Sequence, residues 1–304
     1  MANTGFTVAG TEVSNSFVPK SYLIDRYPEL ADTFKTAGLW LWGINTYGQL
    51  GTNDVTQRSS PVQTVAGGTN WKYVSTGAHF TGAIKTDGTL WMWGRNDYGQ
   101  LGDNTVTHKS SPVQTIAGGT NWKQICVSSL NIYTAAIKTD GTLWMWGLNL
   151  NGNLGTNNTT HYSSPVQTVS GGTNWKQVSL CNHITMAIKT DGTLWGWGLN
   201  DEGELGTNNI TNTSSPVQTV AAGTNWKYVS CGYHYVFAIK TDGTLWGWGY
   251  NDFGGLGTNN VTKRSSPVQT VAGGTNWKQV SAGNYATGAI KTDGTLWMWG
   301  YNFN

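Results

Sequence analysis

Charge is scarce in this chain of 304 residues. Asp, Glu, Lys and Arg make up 11% of it, the net charge is only +2, and the basic residues are scattered one or two to a segment. Nucleic-acid binding by phosphate neutralisation therefore has no basic patch to rest on. Cysteine is almost missing: Cys126, Cys181 and Cys231 fall in three different columns of the repeat described below, opposite Ser75, Gly77 and Thr76. That scatter gives neither a metal-ligand spacing nor a disulfide framework, and buried or half-buried free thiols are expected. No apolar run approaches the ~18 residues of a membrane span. The opening "MANTGFTVAG" has neither the basic start nor the apolar core of a signal peptide.

Glycine and tryptophan are abundant, with 41 and 17 copies. Every tryptophan belongs to a repeat column: twelve in six Leu-Trp-x-Trp-Gly copies starting at Leu39, Leu90, Leu143, Leu194, Leu245 and Leu296, and five in Asn-Trp-Lys at Trp71, Trp122, Trp175, Trp226 and Trp277. The resulting period of about fifty residues points to a β-propeller, not to helical repeats. One unit, Ser59 to Gly94, parses into four short strands: "PVQTV", "WKYVS", "TGAIK" and "LWMWG". A Gly-Gly turn separates the first two, and Asp87-Gly88 supplies the tight hairpin between the last two. Alternation in "LWMWG" puts Trp91 and Trp93 on one strand face and Leu90 and Met92 on the other, so both faces are expected to be covered by neighbouring blades.

Two further motifs recur, Trp-Gly-x-Asn-x-x-Gly-Gln-Leu-Gly after the last strand and Gly-x-His-x-x-x-Ala before Asp-Gly. With them, residues 38 to 304 resemble the regulator-of-chromosome-condensation repeat family. That resemblance implies a propeller of four-stranded blades, usually seven, found in proteins as different as a nucleotide-exchange factor, a plant ultraviolet photoreceptor and a secreted inhibitor of β-lactamase. Such a fold leaves function open. Five complete units and six Leu-Trp strands predict six blades, the first degenerate and assembled from residues 1–38 plus "GLWLWG"; five blades with an outlying N-terminal segment is the alternative. Each blade is expected to run from Ser-Ser-Pro to Trp-Gly.

Residues 1–38 stand outside the repeat and are read as a leader or attachment segment, with 39–304 as the propeller. "YPELADTFKTAG" places Pro28 in a first turn, Leu30, Ala31 and Phe34 at helical spacing and Gly38 as a stop, which predicts a short helix. "TGFTVAG" and "KSYLID" look extended. The stretch "SFVPKSYLIDRYPELA" resembles N-terminal segments that precede such repeats in tailed-phage virion proteins, which implies contacts of residues 1–38 with virion proteins. A degenerate first blade is the other reading.

Units of the same chain differ mainly in the loop after Trp-Gly and just before Ser-Ser-Pro. Those columns hold Tyr47, Tyr98, Glu202 and Phe253, then Arg58, Lys109, Tyr162 and Arg264. Aromatic and charged side chains on a shared frame suit a protein or glycan contact surface, and these eight residues are the candidate partner-binding positions. The opposite face, with the two-residue insertion near Ser129 and Leu130, is the fallback. His79, His183 and His234 occupy a column that holds Leu130 and Tyr285 in other units, so packing explains them better than catalysis. Asp201, Glu202 and Glu204 lie in one loop without the spacing of a calcium site or of carboxylates facing across a substrate. The sequence thus predicts no catalytic residue, metal or cofactor. It predicts a binding or structural propeller in a virion or extracellular assembly, with a protein or cell-surface receptor as partner. A secreted-enzyme inhibitor or glycan-binding propeller is the alternative, and a cytoplasmic site is left open.

Overall fold

The computed structural model describes residues 38–129, 132–221 and 223–301, and the backbone of two short N-terminal strands. These two, β1 (Gly5–Val8) and β2 (Thr11–Ser14), pair as an antiparallel hairpin, in keeping with the extended reading of "TGFTVAG". The helix expected around Pro28 and the "KSYLID" segment lie outside the described residues.

All described regular structure is β. A two-stranded sheet of β3 (Trp40–Gly43) and β4 (Arg58–Gln63) comes first. The next sheet holds β5 (Trp71–Thr76), β6 (Phe80–Lys85), β7 (Leu90–Gly94) and β8 (Lys109–Gln114). A third holds β9 (Trp122–Val127), β10 (Tyr133–Lys138), β11 (Leu143–Gly147) and β12 (Tyr162–Gln167). A fourth holds β13 (Trp175–Leu180), β14 (Ile184–Lys189), β15 (Leu194–Gly198) and β16 (Thr213–Gln218). A fifth holds β17 (Trp226–Cys231), β18 (Tyr235–Lys240), β19 (Leu245–Gly249) and β20 (Arg264–Gln269). The last has three strands, β21 (Trp277–Ala282), β22 (Ala286–Lys291) and β23 (Leu296–Gly300).

Six sheets thus each contain one Leu-Trp strand, but their boundaries differ from the expected ones. The Ser-Ser-Pro-Val-Gln strand pairs with the Leu-Trp strand that precedes it: Gly94 faces Lys109 and Trp91 faces Gln114. A sheet therefore runs from Asn-Trp to the following Pro-Val-Gln. The long loop is a wide hairpin inside a sheet, and the Gly-Gly segment carries the chain to the next sheet. The first Leu-Trp strand follows this rule, pairing with Arg58–Gln63.

Contact density divides the chain into two compact units. Unit 1 comprises Met1–Thr139, Trp146–Leu148 and His161–Val166, and unit 2 comprises Asp140–Met145, Asn149–Thr160 and Gln167–Asn304. In unit 1, β6 and β5 pack on β9; in unit 2, β14 and β13 pack on β17, and β18 and β17 on β21. Hydrogen bonds tie the first strands of successive sheets, as when Cys231 N donates to Ser179 Oγ at 3.0 Å. Cys126, Cys181 and Cys231 are free thiols, half-buried in the first case and buried in the other two.

The short hairpin after the second strand of each sheet is held by its own sequence. Thr89 donates to Asp87 Oδ1 from both N, at 2.9 Å, and Oγ1, at 2.7 Å. Gly88 has φ +82°, and a Cβ there would stand 2.0 Å from the carbonyl oxygen of Thr120, so only glycine fits. The paired tryptophans of the Leu-Trp strand then part company. Trp93, Trp146, Trp197 and Trp248 are fully buried. Their Nε1 atoms donate to loop carbonyls of Gln49, Gln100, Asn153 and Glu204 at 2.7–3.0 Å. Trp91, Trp144, Trp195 and Trp246 are only half-buried, and Lys85, Lys189 and Lys240 cap the rings of Trp91, Trp195 and Trp246 at 4.2–4.5 Å. Coverage of both tryptophans, the expectation from alternation, thus holds for one of them in these sheets. The other lies nearer the blade's short-hairpin end, where a Lys side chain covers part of its ring.

Candidate functional site

Each long loop is built around a buried asparagine. The amide of Asn200 donates to the carbonyls of Asn209 and Thr211, both at 3.1 Å, and its Oδ1 accepts the Leu205 N–H at 2.8 Å. Asn45, Asn96, Asn149 and Asn251 repeat the pattern. A second asparagine in left-handed conformation, Asn53 at φ 61°, donates its N–H to Ser110 O at 2.8 Å in the next sheet's fourth strand. Asn104, Asn157 and Asn208 make the same clasp on Ser163, Ser214 and Ser265. The invariant loop residues and the Ser-Ser-Pro column are accounted for by these bonds. What varies is left at the tips.

Antiparallel pairing puts the turn between the first and second strands at the same end of the sheet as the long loop. The first loop residue bonds the last turn residue in five sheets: Arg95 N to His79 O, Leu148 N to Ile132 O, Leu199 N to His183 O, Tyr250 N to His234 O and Tyr301 N to Tyr285 O, at 2.8–2.9 Å. Two expectations change with this. The described residues flanking the insertion, Ser129 and Ile132, belong to the long-loop end, not the opposite face, and Ile132 takes the structural place of the histidines. The turn residues belong to the candidate surface, and the signal that would have found them is the even number of strands between turn and loop.

Tyr47 is half-buried between the rings of His79 and His108, with centroids 5.2 and 5.1 Å away, and the Arg95 guanidinium lies 5.2 Å from its ring. Asp97 pairs with Arg95 and, at 3.5 Å, with His108. Tyr98 is exposed and stands edge-on to His161 at 5.3 Å. In unit 2, Glu202 accepts from Lys263 at 2.8 Å, and Asp252 lies 3.8 Å from the same ammonium. Exposed Phe253 meets Tyr250, Tyr285 and Tyr301 at 6.0, 5.6 and 4.5 Å. The remaining four candidates start the fourth strand, at the outer edge of the same end. Arg58 pairs with Asp54 at 2.8 Å and Lys109 with Asp103 at 3.5 Å, while Tyr162 is half-buried. Arg264 is half-buried, and its Nε makes no hydrogen bond among the described residues. The structure thus brings Tyr47 and Phe253 against turn residues, His79 and Tyr285, sets Tyr98 and Glu202 against the loop residues His161 and Lys263, and places Arg58, Lys109, Tyr162 and Arg264 at the starts of the strands that follow the loops.

Glu204, from the acidic loop, turns inward. Its Oε2 accepts the Glu202 N–H at 2.9 Å and its Oε1 lies 2.8 Å from His234 Nδ1, while His234 Nε2 lies 2.8 Å from the amide of Asn182. The amide nitrogen of Asn182 only donates, so Nε2 accepts and Nδ1 carries the hydrogen that faces Glu204. The far nitrogen thus meets an amide where nucleophilic catalysis would need a hydroxyl or thiol. Burial lowers the pKa values of His79 and His183 below the ordinary range, helped by Arg95 beside the first and His234 beside the second. The hydrogen bond to Glu202 raises that of Lys263. Among the described residues no group of His, Cys, Asp and Glu gathers to hold a metal, and no helix is long and apolar enough to cross a membrane.

Comparison with known proteins agrees with this architecture. The chain is 31% identical over 268 residues to the ultraviolet-B receptor UVR8 of Arabidopsis thaliana, which covers 86% of this chain and 60% of the receptor. It is 26% identical over 272 residues to the mitochondrial RCC1 domain-containing protein RUG3 of the same plant, covering 86% and 61%. It therefore spans about 60% of the length of these curated relatives. Human WBSCR16 superposes with a TM-score of 0.74 at 21% identity, covering 88% of this chain and 73% of that one. Prp20p of Saccharomyces cerevisiae superposes with 0.71 at 18%, covering 88% and 68%. Both establish the fold, a β-propeller of four-stranded blades. The model of the Regulator of chromosome condensation (RCC1) repeat matches residues 37–84, 87–129, 140–188, 191–239 and 242–290, and the chain belongs to this family.

Proposed function

We propose that this protein is a non-enzymatic interaction propeller that offers the long-loop ends of its blades to a protein partner, as a component of a virion or another extracellular assembly. The observation that carries the reading is the contrast within each loop: a fixed Asn-Leu-Gly interior holds tips that bear Tyr47, Tyr98, Asn151, Glu202 and Phe253 in turn. Binding energy concentrates in such aromatic and arginine anchors. Propeller relatives give support at the level of protein binding, since the Prp20p structure is described together with its binding to Gsp1p and histones. The rings of Tyr98 and Phe253 stand edge-on to His161 and Tyr285, at 86° and 84°, a geometry better suited to a protein contact than to flat stacking of a sugar. In this reading residues 1–38 attach the propeller to its particle.

Two measurements test it. Purified particles from the producing source should contain the chain, and deletion of residues 1–38 should release it; absence of the chain from particles overturns the assembly reading. Alanine at Tyr47, Tyr98 and Phe253 together, in a protein with unchanged circular dichroism, should weaken partner binding by about a hundredfold or more. Full affinity in that variant moves the contact to Arg58, Lys109, Tyr162 and Arg264 or away from this end altogether.

A further inference from the structure

The five loop tips share one turn and differ in one bond. In each, a glycine in left-handed conformation follows the tip residue and returns its N–H to the carbonyl of the buried asparagine three residues back: Gly48 to Asn45 at 3.0 Å, Gly99 to Asn96 at 3.2 Å, Gly203 to Asn200 at 3.1 Å and Gly254 to Asn251 at 2.9 Å. Gly152 reaches Asn149 only at 3.5 Å, beyond the usual range of an N–H donor. The tip before it is loosely held as well. Gln49, Gln100 and Glu204 fold back to accept the N–H of Tyr47, Tyr98 and Glu202 at 2.9–3.0 Å. In this loop Asn153 stands at that place, one methylene shorter than glutamine, and among the described residues no hydrogen bond holds the N–H or the carboxamide of Asn151.

Asn151 and Gly152 form the only Asn-Gly step in the chain. We propose that this step is a self-modifying site, at which the loop tip loses ammonia through a cyclic imide and turns from a neutral amide into an acid. The Gly152 nitrogen attacks Cγ of Asn151; a C–N bond forms, the carboxamide C–N bond breaks, and the amide nitrogen leaves as ammonia with the proton that Gly152 gives up. Water then adds to either ring carbonyl and opens the imide, giving aspartate or isoaspartate and restoring the Gly152 N–H. Glycine has no side chain to shield that nitrogen, and none can be introduced here: φ is +75°, and a Cβ would stand 2.4 Å from Ser214 Cα. The fold thus fixes the reactive nitrogen, and the tip residue decides whether it has an amide to attack. Tyr47, Tyr98, Glu202 and Phe253 offer none. The related Asp-Gly steps are closed. Gly88, Gly192, Gly243 and Gly294 keep their N–H on a lysine carbonyl at 2.9–3.0 Å, and the following threonine pins each Asp side chain at 2.7 and 2.9 Å. The inference does not depend on the interaction reading above; joined to it, one tip of the candidate surface gains a charge with time.

The test is to hold the freshly purified full-length protein in ¹⁸O-labelled water at pH 8 and follow its proteolytic peptides by mass spectrometry. The peptide across residues 151 and 152 should exchange its amide for an acid group carrying one ¹⁸O, with isoaspartate among the products, about tenfold faster than the asparagines of the other four loops. The rate should fall at pH 6, where less of the peptide nitrogen is deprotonated. Asn151→Gln keeps a carboxamide but requires a larger ring, and should stop the reaction. Tyr98→Asn places the same step in a loop whose tip N–H is held by Gln100 and whose glycine bond is shorter, and should react about tenfold more slowly than Asn151. Both variants should keep the circular dichroism of the parent. A rate at Asn151 no higher than at the other loop asparagines overturns the site. Aspartate without isoaspartate means direct hydrolysis and overturns the cyclic route, and equal rates at the two steps of the Tyr98→Asn variant overturn the role given to this loop's geometry. Partner binding enters none of these outcomes, so the interaction reading stands or falls apart from them.

Discussion

The two ends of each blade are built by opposite means. At the short-hairpin end the residues repeat: Thr-Asp-Gly-Thr occurs five times, and the same Lys lies over the same pair of tryptophans in sheet after sheet. At the long-loop end only the interior repeats. Asn, Leu and Gly stay while the tip changes from Tyr to Asn to Glu to Phe, and the residue two positions behind it from Gln to Asn to Glu to Gly. A loop whose geometry is fixed from within can change its exterior without cost to the fold. That separation of frame from tip makes the loop end, and not the hairpin end, the part of the molecule able to acquire a partner.

The sharpest test of the comparison lies along a single strand. Trp197→Ala removes a fully buried ring and its 3.0 Å bond to Asn153 O, and should cost about 3–5 kcal/mol in chemical denaturation. Trp195→Ala, two residues away, removes a half-buried ring capped by Lys189 at 4.3 Å, and about 1–2 kcal/mol is expected. Equal losses would mean that burial depth does not separate the two columns.

Next in size is the loop interior. Asn200→Ala strands the buried Leu205 N–H and takes the amide donor from the part-buried carbonyls of Asn209 and Thr211, for a loss of about 1–3 kcal/mol. The change should also loosen Asp201 and Glu202, seen as faster hydrogen exchange across residues 200–212. A loss below about 0.5 kcal/mol would show that the loop is held from outside, through its clasp on Ser265.

These same columns explain what could be read in advance. The period, the strand types and the hairpin chemistry are local, and sequence carries them. Where one blade ends is not local. A repeating pattern can be cut at any phase, and only the pairing of Gly94 with Lys109 decides that Ser-Ser-Pro belongs to the sheet before it. Alternation likewise assigns Trp195 and Trp197 to one face but cannot say which of the two is fully buried and which is half-buried under Lys189. At the candidate surface the variable tips stood out by comparison among units. Their contacts did not, because Tyr47 and His79 are far apart in sequence and meet only through the order of strands.

Acid should act at both ends of the blade, first through the buried turn histidines beside the long loops and then through the hairpin aspartates. Hydrogen bonds from the following threonine, first from its N–H and then from its hydroxyl, hold Asp87, Asp191 and Asp242 below the ordinary carboxylate pKa of 3.8. Their folded values are depressed, so their contribution is fully present above about pH 4 and is lost as pH falls through the folded values. Exposure to solvent keeps each effect small. His79 and His183 are depressed from 6.5 by burial, so the unfolded chain takes up protons first and stability starts to decline below that pH. Denaturation midpoints at pH 7, 5 and 3 should fall in two steps. Replacing the three aspartates by asparagine should flatten the second step and leave the first, and a second step unchanged in that variant would remove the hairpins as its source.

The smallest effect on stability should come from the tips themselves. Tyr98 is exposed, its ring stands edge-on to His161, and the backbone N–H at its position is already held by Gln100. Tyr98→Ala should therefore change the unfolding free energy by less than about 0.5 kcal/mol. The same truncation at the centre of a protein contact costs about 2 kcal/mol of binding. A variant that unfolds like the parent but binds its partner about thirtyfold more weakly separates the two roles within one residue. A variant that loses stability instead would make Tyr98 part of the frame, and the division between constant interior and free exterior would have to be redrawn one residue further out.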